Sequence, residues 1–249
     1  MNTPQSKKYK VLLIGDNCED VYRYGTVDRI SPEAPVPIFK LSHEEVRPGM
    51  AANVAENLDR LGCDVDFLTD KPSKKIRLID IKSGQHIVRI DEDVKAQAMD
   101  FETQIPKFYD AVVVSDYDKG TVSYSLLNEL RSLYDGPIFI DTKKTDLSGL
   151  SGCFVKINEL EFSRLKNPCD DLIVTMSDKG ARYKDKMYEA PKVGVVDVTG
   201  AGDTFLAALV YAHIDTGKMD EAIKFAIKAS SITVQHLGVY APTLDELCD

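Results

Sequence analysis

Short apolar runs recur along the chain between polar loops, a pattern typical of strands that are buried in a parallel sheet. They occupy residues 11–14, 65–69, 111–115, 137–140, 154–157 and 172–175. Helical patterns accompany them at residues 50–61, 123–134, 202–214 and 220–236. This alternation predicts an α/β fold with a central, mainly parallel sheet that is covered by helices.

Two segments interrupt the alternation and predict a small sheet that projects from the main one. Residues 30–37 are too rich in proline for a central strand, and residues 37–41 alternate like a half-exposed strand. A hairpin pattern follows at residues 76–90. We expect one domain, residues 1–249, with a β lid formed by roughly residues 24–47 and 75–92.

Composition narrows the class of protein. The net charge is -9 and the isoelectric point is about 5.0, which argues against a nucleic-acid-binding surface because such surfaces are basic. The five cysteines are scattered without zinc-finger spacing, which indicates free thiols in a reducing compartment. The N-terminus is polar, and no apolar run is long enough to span a bilayer. These features predict a cytoplasmic protein that does not bind membranes.

Residues 197–204, DVTGAGDT, carry the most specific chemistry in the chain. A loop of small residues that opens a helix presents unpaired N–H groups at the positive end of the helix dipole, so it binds phosphate. An anion there repels Asp203, and a general base that deprotonates an attacking hydroxyl explains why a carboxylate is present. The alternative is a tight turn in which Asp203 stabilises the helix dipole. The unbroken run of small residues and the apolar helix behind it favour a kinase.

Two further carboxylates follow the first apolar run. Asp16 lies at its end and Asp20 shortly afterwards, where ligands bind in open α/β sheets. The alternatives are a strand-end turn for Asp16 and a helix cap for Asp20.

Several motifs resemble the ribokinase-like (phosphofructokinase-B) sugar kinases. Residues 197–210 match the second signature of that family position for position. Within the family, the chain is most similar to the kinase domain that phosphorylates D-glycero-β-D-manno-heptose 7-phosphate, a lipopolysaccharide precursor, at its anomeric oxygen. The similarity covers almost the whole chain and rests on residues 15–16, 29–37, 47–55, 115–120, 158–161 and 197–203.

The resemblance implies ATP and Mg²⁺ as cofactors and assigns roles to the catalytic residues. Asp203 is the implied base, and the amides of Gly200, Ala201 and Gly202 hold the transferring phosphoryl group. Asn158 and Glu161 match the Asn-x-x-Glu motif that organises magnesium, which retains much of its water. For Glu161 the alternative is a surface helix residue.

The same resemblance places the ligands around these groups. The implied acceptor contacts are Asp16, Asp20 and Asn53, and the implied nucleotide contacts are Asn158, Ser177, Gly180 and Thr199. The helix around residues 230–234 walls the adenine site in the family, although apolar helix residues more often belong to a core.

A substrate that already carries a phosphate requires cations. The candidates, all at predicted strand ends or in loops, are Arg47, Arg89, Lys119 and Lys143. Arginine suits bidentate phosphate binding better than lysine does. For each of them a solvated surface charge is the alternative.

The chain departs from the family in three respects. Met50 replaces the second of two glycines, so it narrows the pocket or changes the substrate. The segments after Asp70 and Leu165 are too short for the expected helices, which predicts a trimmed sheet. The third is an expectation that the chain functions without the nucleotidyltransferase domain that is fused to some heptose kinases.

The leading hypothesis is an ATP-dependent sugar-phosphate kinase. The resemblance implies that its projecting sheet acts as a lid and also as the interface of a homodimer. Met50 keeps open a kinase for another sugar or a nucleoside, and the trimmed sheet keeps open a non-catalytic sugar-phosphate-binding protein.

Overall fold

The computed structural model describes residues 9–99, 105 and 107–248. In chain order its strands are β1 (Tyr9–Gly15), β2 (Asn17–Ile30), β3 (Pro37–Met50), β4 (Cys63–Leu68), β5 (Ser73–Asp80), β6 (His86–Glu92), β7 (Ala111–Asp116), β8 (Ile138–Thr142), β9 (Phe154–Asn158), β10 (Leu172–Thr175), β11 (Ala181–Tyr183) and β12 (Lys186–Tyr188). Its α-helices are α1 (Ala51–Arg60), α2 (Tyr124–Leu133), α3 (Glu159–Ser163), α4 (Ala201–Thr216), α5 (Met219–Thr233) and α6 (Leu244–Cys248).

The main sheet has eight strands in the order β12-β11-β10-β9-β8-β7-β1-β4. The strands from β10 to β4 pair in parallel, whereas β11 and β12 pair antiparallel at one edge. The strand order reverses at β1, which pairs with both β4 and β7. Crevices at such a reversal, beyond the carboxyl ends of the strands, are the ligand sites of open α/β sheets.

The apolar runs of the sequence form strands because both faces of the main sheet are covered. Val11 and Leu13 of β1 pack on one face with α1, α4 and α5. Leu12 and Ile14 pack on the other face with α2. A strand buried on both faces has no position for a polar residue, so the buried part of β1, from Val11 to Ile14, is wholly apolar.

A second sheet, the lid, contains four strands in the order β3-β2-β5-β6. The chain enters it directly from β1 through Asp16 and leaves it through Met50 into α1. Side chains of directly paired residues point to the same side of a sheet. One face of the lid therefore carries Asp20, Tyr22, Arg47, Arg77 and Arg89, and we call it the polar face. The opposite, apolar face carries Val21, Val46, Ile76, Leu78, Val88 and Ile90.

The structure confirms the expected mainly parallel sheet, the hairpin and the trimmed connections. β4 leads into the lid strand β5 without an intervening helix, and the five-residue α3 is the one helix between β9 and β10 in the described chain. The lid strands extend further than expected, since β2 begins at Asn17. Asp20 therefore lies in a strand, and its interpretation as a helix cap is wrong. α5 ends at Thr233, before the expected residue 236.

Among the helices of the described residues, none is both long and apolar enough to cross a bilayer.

Candidate functional site

The candidate site lies at the carboxyl ends of β1, β7, β8 and β9. Asp16, Asp116, Lys143 and Asn158 end or follow these strands, and the first turn of α4 contributes Asp203. Most of the predicted catalytic groups are therefore collected at one edge of the main sheet.

The small-residue loop opens α4 as the sequence predicts. Gly200 is the N-cap, with φ 79° in the left-handed region, and a Cβ there would lie 2.8 Å from Asn53 Nδ2. Only glycine fits, because a side chain meets both backbone strain and a neighbour. The amide of Ala201 donates to the Val198 carbonyl over 3.3 Å, which leaves the following first-turn amide of Gly202 as the better candidate for an anion.

Asp203 is fixed by two donors that are distant in sequence. Asn53 Nδ2 donates to its Oδ2 over 2.8 Å, and the Tyr117 hydroxyl donates to its Oδ1 over 2.7 Å. The side chain is buried, with 6% of the residue exposed. Burial raises the pKa of Asp203, while the hydrogen bonds from Asn53 and Tyr117 oppose that rise. The arrangement holds a desolvated carboxylate in one orientation, as a general base requires.

Asp16 anchors the loop that carries Tyr117. Its carboxylate accepts the amides of Tyr117, Lys119 and Thr121 over 2.8, 3.0 and 3.1 Å. It is 1% exposed. This matches the strand-end interpretation of Asp16, which also positions the tyrosine that donates to Asp203.

The polar face of the lid brings two arginines to one tyrosine. Arg77 Nη1 donates to Asp20 Oδ1 over 2.5 Å, and this pair is nearly buried. The guanidinium carbons of Arg47 and Arg77 each lie 5.1 Å from the Tyr22 ring centroid. Arg47 also contacts the position that a Cβ on Gly238 would take, so the lid reaches the loop beside α4. Asp20 and Arg47 thus share one basic cluster with Arg77.

The other predicted cations have different surroundings. Arg89 is exposed on β6 and pairs with Asp91. Lys119 Nζ lies 2.8 Å from Asp93 Oδ1. Neither is linked by a described hydrogen bond or ion pair to Asp203, so their role in substrate binding stays a prediction.

Asn158 and Glu161 form a capping box at the start of α3. Asn158 Oδ1 accepts the Glu161 amide over 2.8 Å, and Glu161 Oε2 accepts the Asn158 amide over 2.8 Å. The other oxygen of Glu161 bonds Lys143 Nζ. Burial alone would lower the pKa of Lys143, but the carboxylates of Asp141 and Glu161 outweigh it and raise that pKa.

A buried ion pair lies beneath the small-residue loop at residues 197–202, which we call the anion loop. Lys156 Nζ donates to Asp141 Oδ2 over 2.6 Å, and the two residues are direct partners on β9 and β8. The same ammonium lies 3.1 Å from the position of a Cβ on Gly202. The second oxygen, Asp141 Oδ1, is buried without a hydrogen-bond partner.

The oxygen atoms of Asn158 and Glu161 fit a magnesium ion that is held mainly by water and phosphate. The described residues contain no cluster of three or more His, Cys, Asp or Glu side chains that could enclose a metal. Magnesium needs no such cage, because it usually takes one or two carboxylates and keeps several waters. Glu161 offers one carboxylate at the edge of the site, where it pairs with Lys143.

The predicted nucleotide contacts come from three places in the fold. Asn158 precedes α3, Thr199 precedes α4, and Ser177 and Gly180 follow β10. Thr199 donates its amide and its hydroxyl to Asp197 Oδ1 over 2.9 and 2.7 Å. Ser177 and Gly180 bound a turn after β10, which pairs with β9 at Asn158. This turn shares the sheet edge with the site, but no described hydrogen bond joins it to the anion loop.

Sequence reasoning missed several residues that build the site. Arg77, Tyr117, Asp141 and Lys156 were not predicted, although Tyr117 lies within the motif at residues 115–120. The position of Asp141 directly after a predicted strand could have identified it. Arg77 and Lys156 lie within strands, where sequence alone does not tell a site residue from a surface charge.

Comparisons with known proteins find similarity to carbohydrate kinases. Residues 154–246 match the model of the pfkB family carbohydrate kinases. The bifunctional protein HldE of a Nitratiruptor species is 33% identical over 300 aligned positions, which cover 96% of this chain and 64% of the relative. The bifunctional protein HldE of Vibrio vulnificus (strain CMCP6) is 31% identical, with coverage of 99% and 64%. The chain thus spans about 64% of these relatives' length, and the first alignment exceeds its 249 residues because the relative carries segments that this chain lacks.

Solved structures share the fold. The ribokinase of Arabidopsis thaliana, complexed with ribose and ATP, matches with a TM-score of 0.70 at 16% identity over 96% of this chain and 97% of that one. A ribokinase from Thermotoga maritima matches with a TM-score of 0.68 at 18% identity over 96% and 98%.

Proposed function

We propose that this chain is a carbohydrate kinase of the pfkB family, whose model matches residues 154–246, and that it transfers the γ-phosphoryl group of ATP to a sugar phosphate, with Asp203 as the general base. The observation that carries the proposal is the position of Asp203. It lies in the first turn of α4, inside the small-residue loop, and both of its oxygens accept hydrogen bonds.

The proposed reaction is an in-line displacement. Asp203 takes the proton of the sugar hydroxyl as the hydroxyl oxygen attacks the γ-phosphorus, and ADP leaves. The first-turn amides of α4, together with the buried Lys156 beside Gly202, would stabilise negative charge on the transferring group. Glu161 and Asn158 would hold Mg²⁺, which neutralises phosphate charge when it is bound.

We propose D-glycero-β-D-manno-heptose 7-phosphate as the acceptor and its anomeric oxygen as the nucleophile. The support is the similarity of residues 29–37, 47–55 and 115–120 to heptose kinases. Asn53 would contact the sugar near Asp203. Arg47 and Arg77 both lie next to Tyr22 on the polar face of the lid. They are the cations that suit the phosphate group already present on the acceptor sugar.

The proposal extends to assembly and location. The apolar face of the lid leaves Val46, Val88 and Ile90 exposed by 57%, 44% and 42%, and a second copy of the chain is the occupant that we propose. An ATP-dependent kinase works where ATP is abundant, so we propose a cytoplasmic location.

The decisive experiment measures ADP release with ATP, Mg²⁺ and a panel of acceptors. The panel contains heptose 7-phosphate, fructose phosphates, ribose and adenosine. Wild type should turn over the heptose phosphate, and Asp203→Asn should lose roughly 10²–10⁴-fold in kcat, the usual contribution of a general base. Asparagine keeps the size of the side chain, so a folded variant isolates the loss of basicity.

Two results would contradict the proposal. A folded wild type without turnover on any sugar phosphate excludes the kinase, and an Asp203→Asn variant with wild-type kcat excludes the base. Turnover on a different sugar or on adenosine would instead support the alternative that Met50 motivates, because this buried residue takes the place of a glycine in heptose kinases.

A further inference from the structure

Lys143 lies between Glu161 and Tyr117 in the candidate site. It follows β8 directly, and its amide donates to the Asp116 carbonyl over 3.1 Å. Its ammonium bonds Glu161 and lies 5.1 Å from the centroid of the Tyr117 ring, whose hydroxyl donates to Asp203. The ammonium therefore connects the carboxylate that would organise magnesium with the tyrosine that holds the base.

A second acceptor is present in the same cluster. Asp141 Oδ1 is buried and has no hydrogen-bond partner, while Oδ2 is taken by Lys156. Asp141 and Glu161 are the strongest charges that act on Lys143. An unpaired buried carboxylate oxygen is unfavourable, so it attracts a nearby cation when that cation is released.

We propose that Lys143 is a mobile catalytic cation. In the nucleotide-free protein, Glu161 holds the Lys143 ammonium. When nucleotide and magnesium bind at Glu161, the ammonium moves toward Asp141 and the γ-phosphoryl group. This inference rests on the kinase function proposed above and adds a residue to it. The metal ion and the ammonium are both positively charged, so they compete for the Glu161 carboxylate. The flexible lysine side chain allows the ammonium to move.

The neighbouring lysines differ from Lys143 in their restraints. Lys144 is almost fully buried and bonds both Asp116 and Asp118. Lys156 is almost fully buried against Asp141. The Lys143 side chain is 34% exposed and forms its ion pair with Glu161 alone among the described residues. It is therefore the lysine of this group that a ligand can reach and displace.

The first test separates kcat from KM. Lys143→Met should lower kcat by roughly 10²–10³-fold, the usual cost of removing one group that stabilises transition-state charge. The KM for the sugar phosphate should stay within about threefold, because that effect is specific to the transition state. The matched control is Lys184→Met, which removes a lysine that pairs with Asp171 outside the site, and its kcat should equal that of wild type. A Lys143→Met variant with wild-type kcat would overturn the proposal.

The second test needs no turnover and uses Mn²⁺ as the probe. Binding to the nucleotide-free protein is followed by the loss of the free-ion electron paramagnetic resonance signal. Lys143→Met should bind Mn²⁺ about tenfold more tightly, because the positive charge that competes for Glu161 is gone. In a Glu161→Gln background the same change should have no effect. Unchanged or weaker Mn²⁺ binding by Lys143→Met would mean that the lysine only supports the fold around Glu161, which contradicts the proposal.

A second variant guards against a folding defect. Lys143→Gln keeps a neutral donor for Glu161 but has no charge, so it should show both slower turnover and tighter Mn²⁺ binding. Wild-type behaviour of a folded Lys143→Gln would overturn the inference. Because the Mn²⁺ measurement is independent of catalysis, it stands even if the acceptor sugar is not the heptose phosphate.

Discussion

Asp203 is a carboxylate in surroundings that disfavour its charge. Burial raises its pKa, the nearby Asp141 adds to that rise, and the donors Asn53 and Tyr117 counteract it, as does the cation Lys156. A base with a raised pKa accepts a proton more readily than a solvent-exposed aspartate does, provided that it is still ionised at the working pH. The hydrogen bonds from Asn53 and Tyr117 therefore both help to keep Asp203 ionised.

Tyr117→Phe should move the acidic limb of the kcat profile to higher pH. The variant loses a hydrogen bond that lowers the pKa of Asp203, so the pKa rises further and the ionised fraction appears only at higher pH. The profile of kcat across the acidic and neutral pH range measures the shift. Tyr124→Phe, which removes a hydroxyl outside the site, is the control. A limb that stays in place or moves to lower pH would contradict this role.

Residues were predictable from sequence where their chemistry depends on neighbours in the chain. Gly200 and Asp203 belong to one short motif, and the structure places them as the motif implies. The Asp141–Lys156 pair depends instead on the register between β8 and β9, and the Asp20–Arg77 pair on the packing of β2 against β5. A single sequence does not contain that register, so these partners emerge only from the fold.

The junction between lid strand β3 and α1 stores backbone strain. Met50 is the N-cap of α1 with φ 53° and ψ -133°, a region that favours glycine. Such a conformation costs about 1–3 kcal/mol for other residues and persists only where the surroundings enforce it. The strain lies three residues before Asn53, the donor to Asp203, so it affects the element that carries the acceptor site.

Met50→Gly should be more stable than Met50→Ala by about 1 kcal/mol or more, because both variants lose the same buried side chain beyond Cβ but only glycine relieves the backbone. Urea unfolding of the two variants at the same pH gives the difference in the free energy of unfolding. An alanine variant that is equally or more stable would show that the backbone at this junction is not strained.

The lid strands were the elements that the sequence described least well. β2 carries Asp20 and Arg23 on opposite faces, so polar and apolar positions do not alternate cleanly. Alternation is a reliable guide only where one face is solvated. In the lid, one face contributes to the site and the other carries valine and isoleucine, which explains why the expected segments were shorter than β2 and β3.

The whole molecule is asymmetric about its main sheet. One face packs against the three helices α1, α4 and α5, whereas α2 is the α-helix of the described chain that packs on the other face. The trimming leaves the site edge intact, because β1, β7, β8 and β9 all keep the residues that follow their carboxyl ends.

Val88→Glu combined with Ile90→Glu should convert a dimer into a monomer. The two changes place charges on the exposed apolar face of the lid, where a partner copy would have to desolvate them. Sedimentation velocity at micromolar concentration measures the state. Met187→Glu, an equally exposed apolar position on β12, is the control and should leave the dimer intact. A monomeric wild type would rule out the lid interface.

The two hydrogen bonds that fix Asp203 have a consequence for how the protein folds while it is being synthesised. Asn53 and Tyr117 lie 150 and 86 positions before it in the chain. Contacts of such separation form late, because a long loop must close before they yield any stabilisation. On the ribosome, the lid and the first strands can fold before Asp203 has been synthesised. With Asp203 as the base proposed above, a nascent chain is unable to transfer phosphate until α4 has emerged and docked.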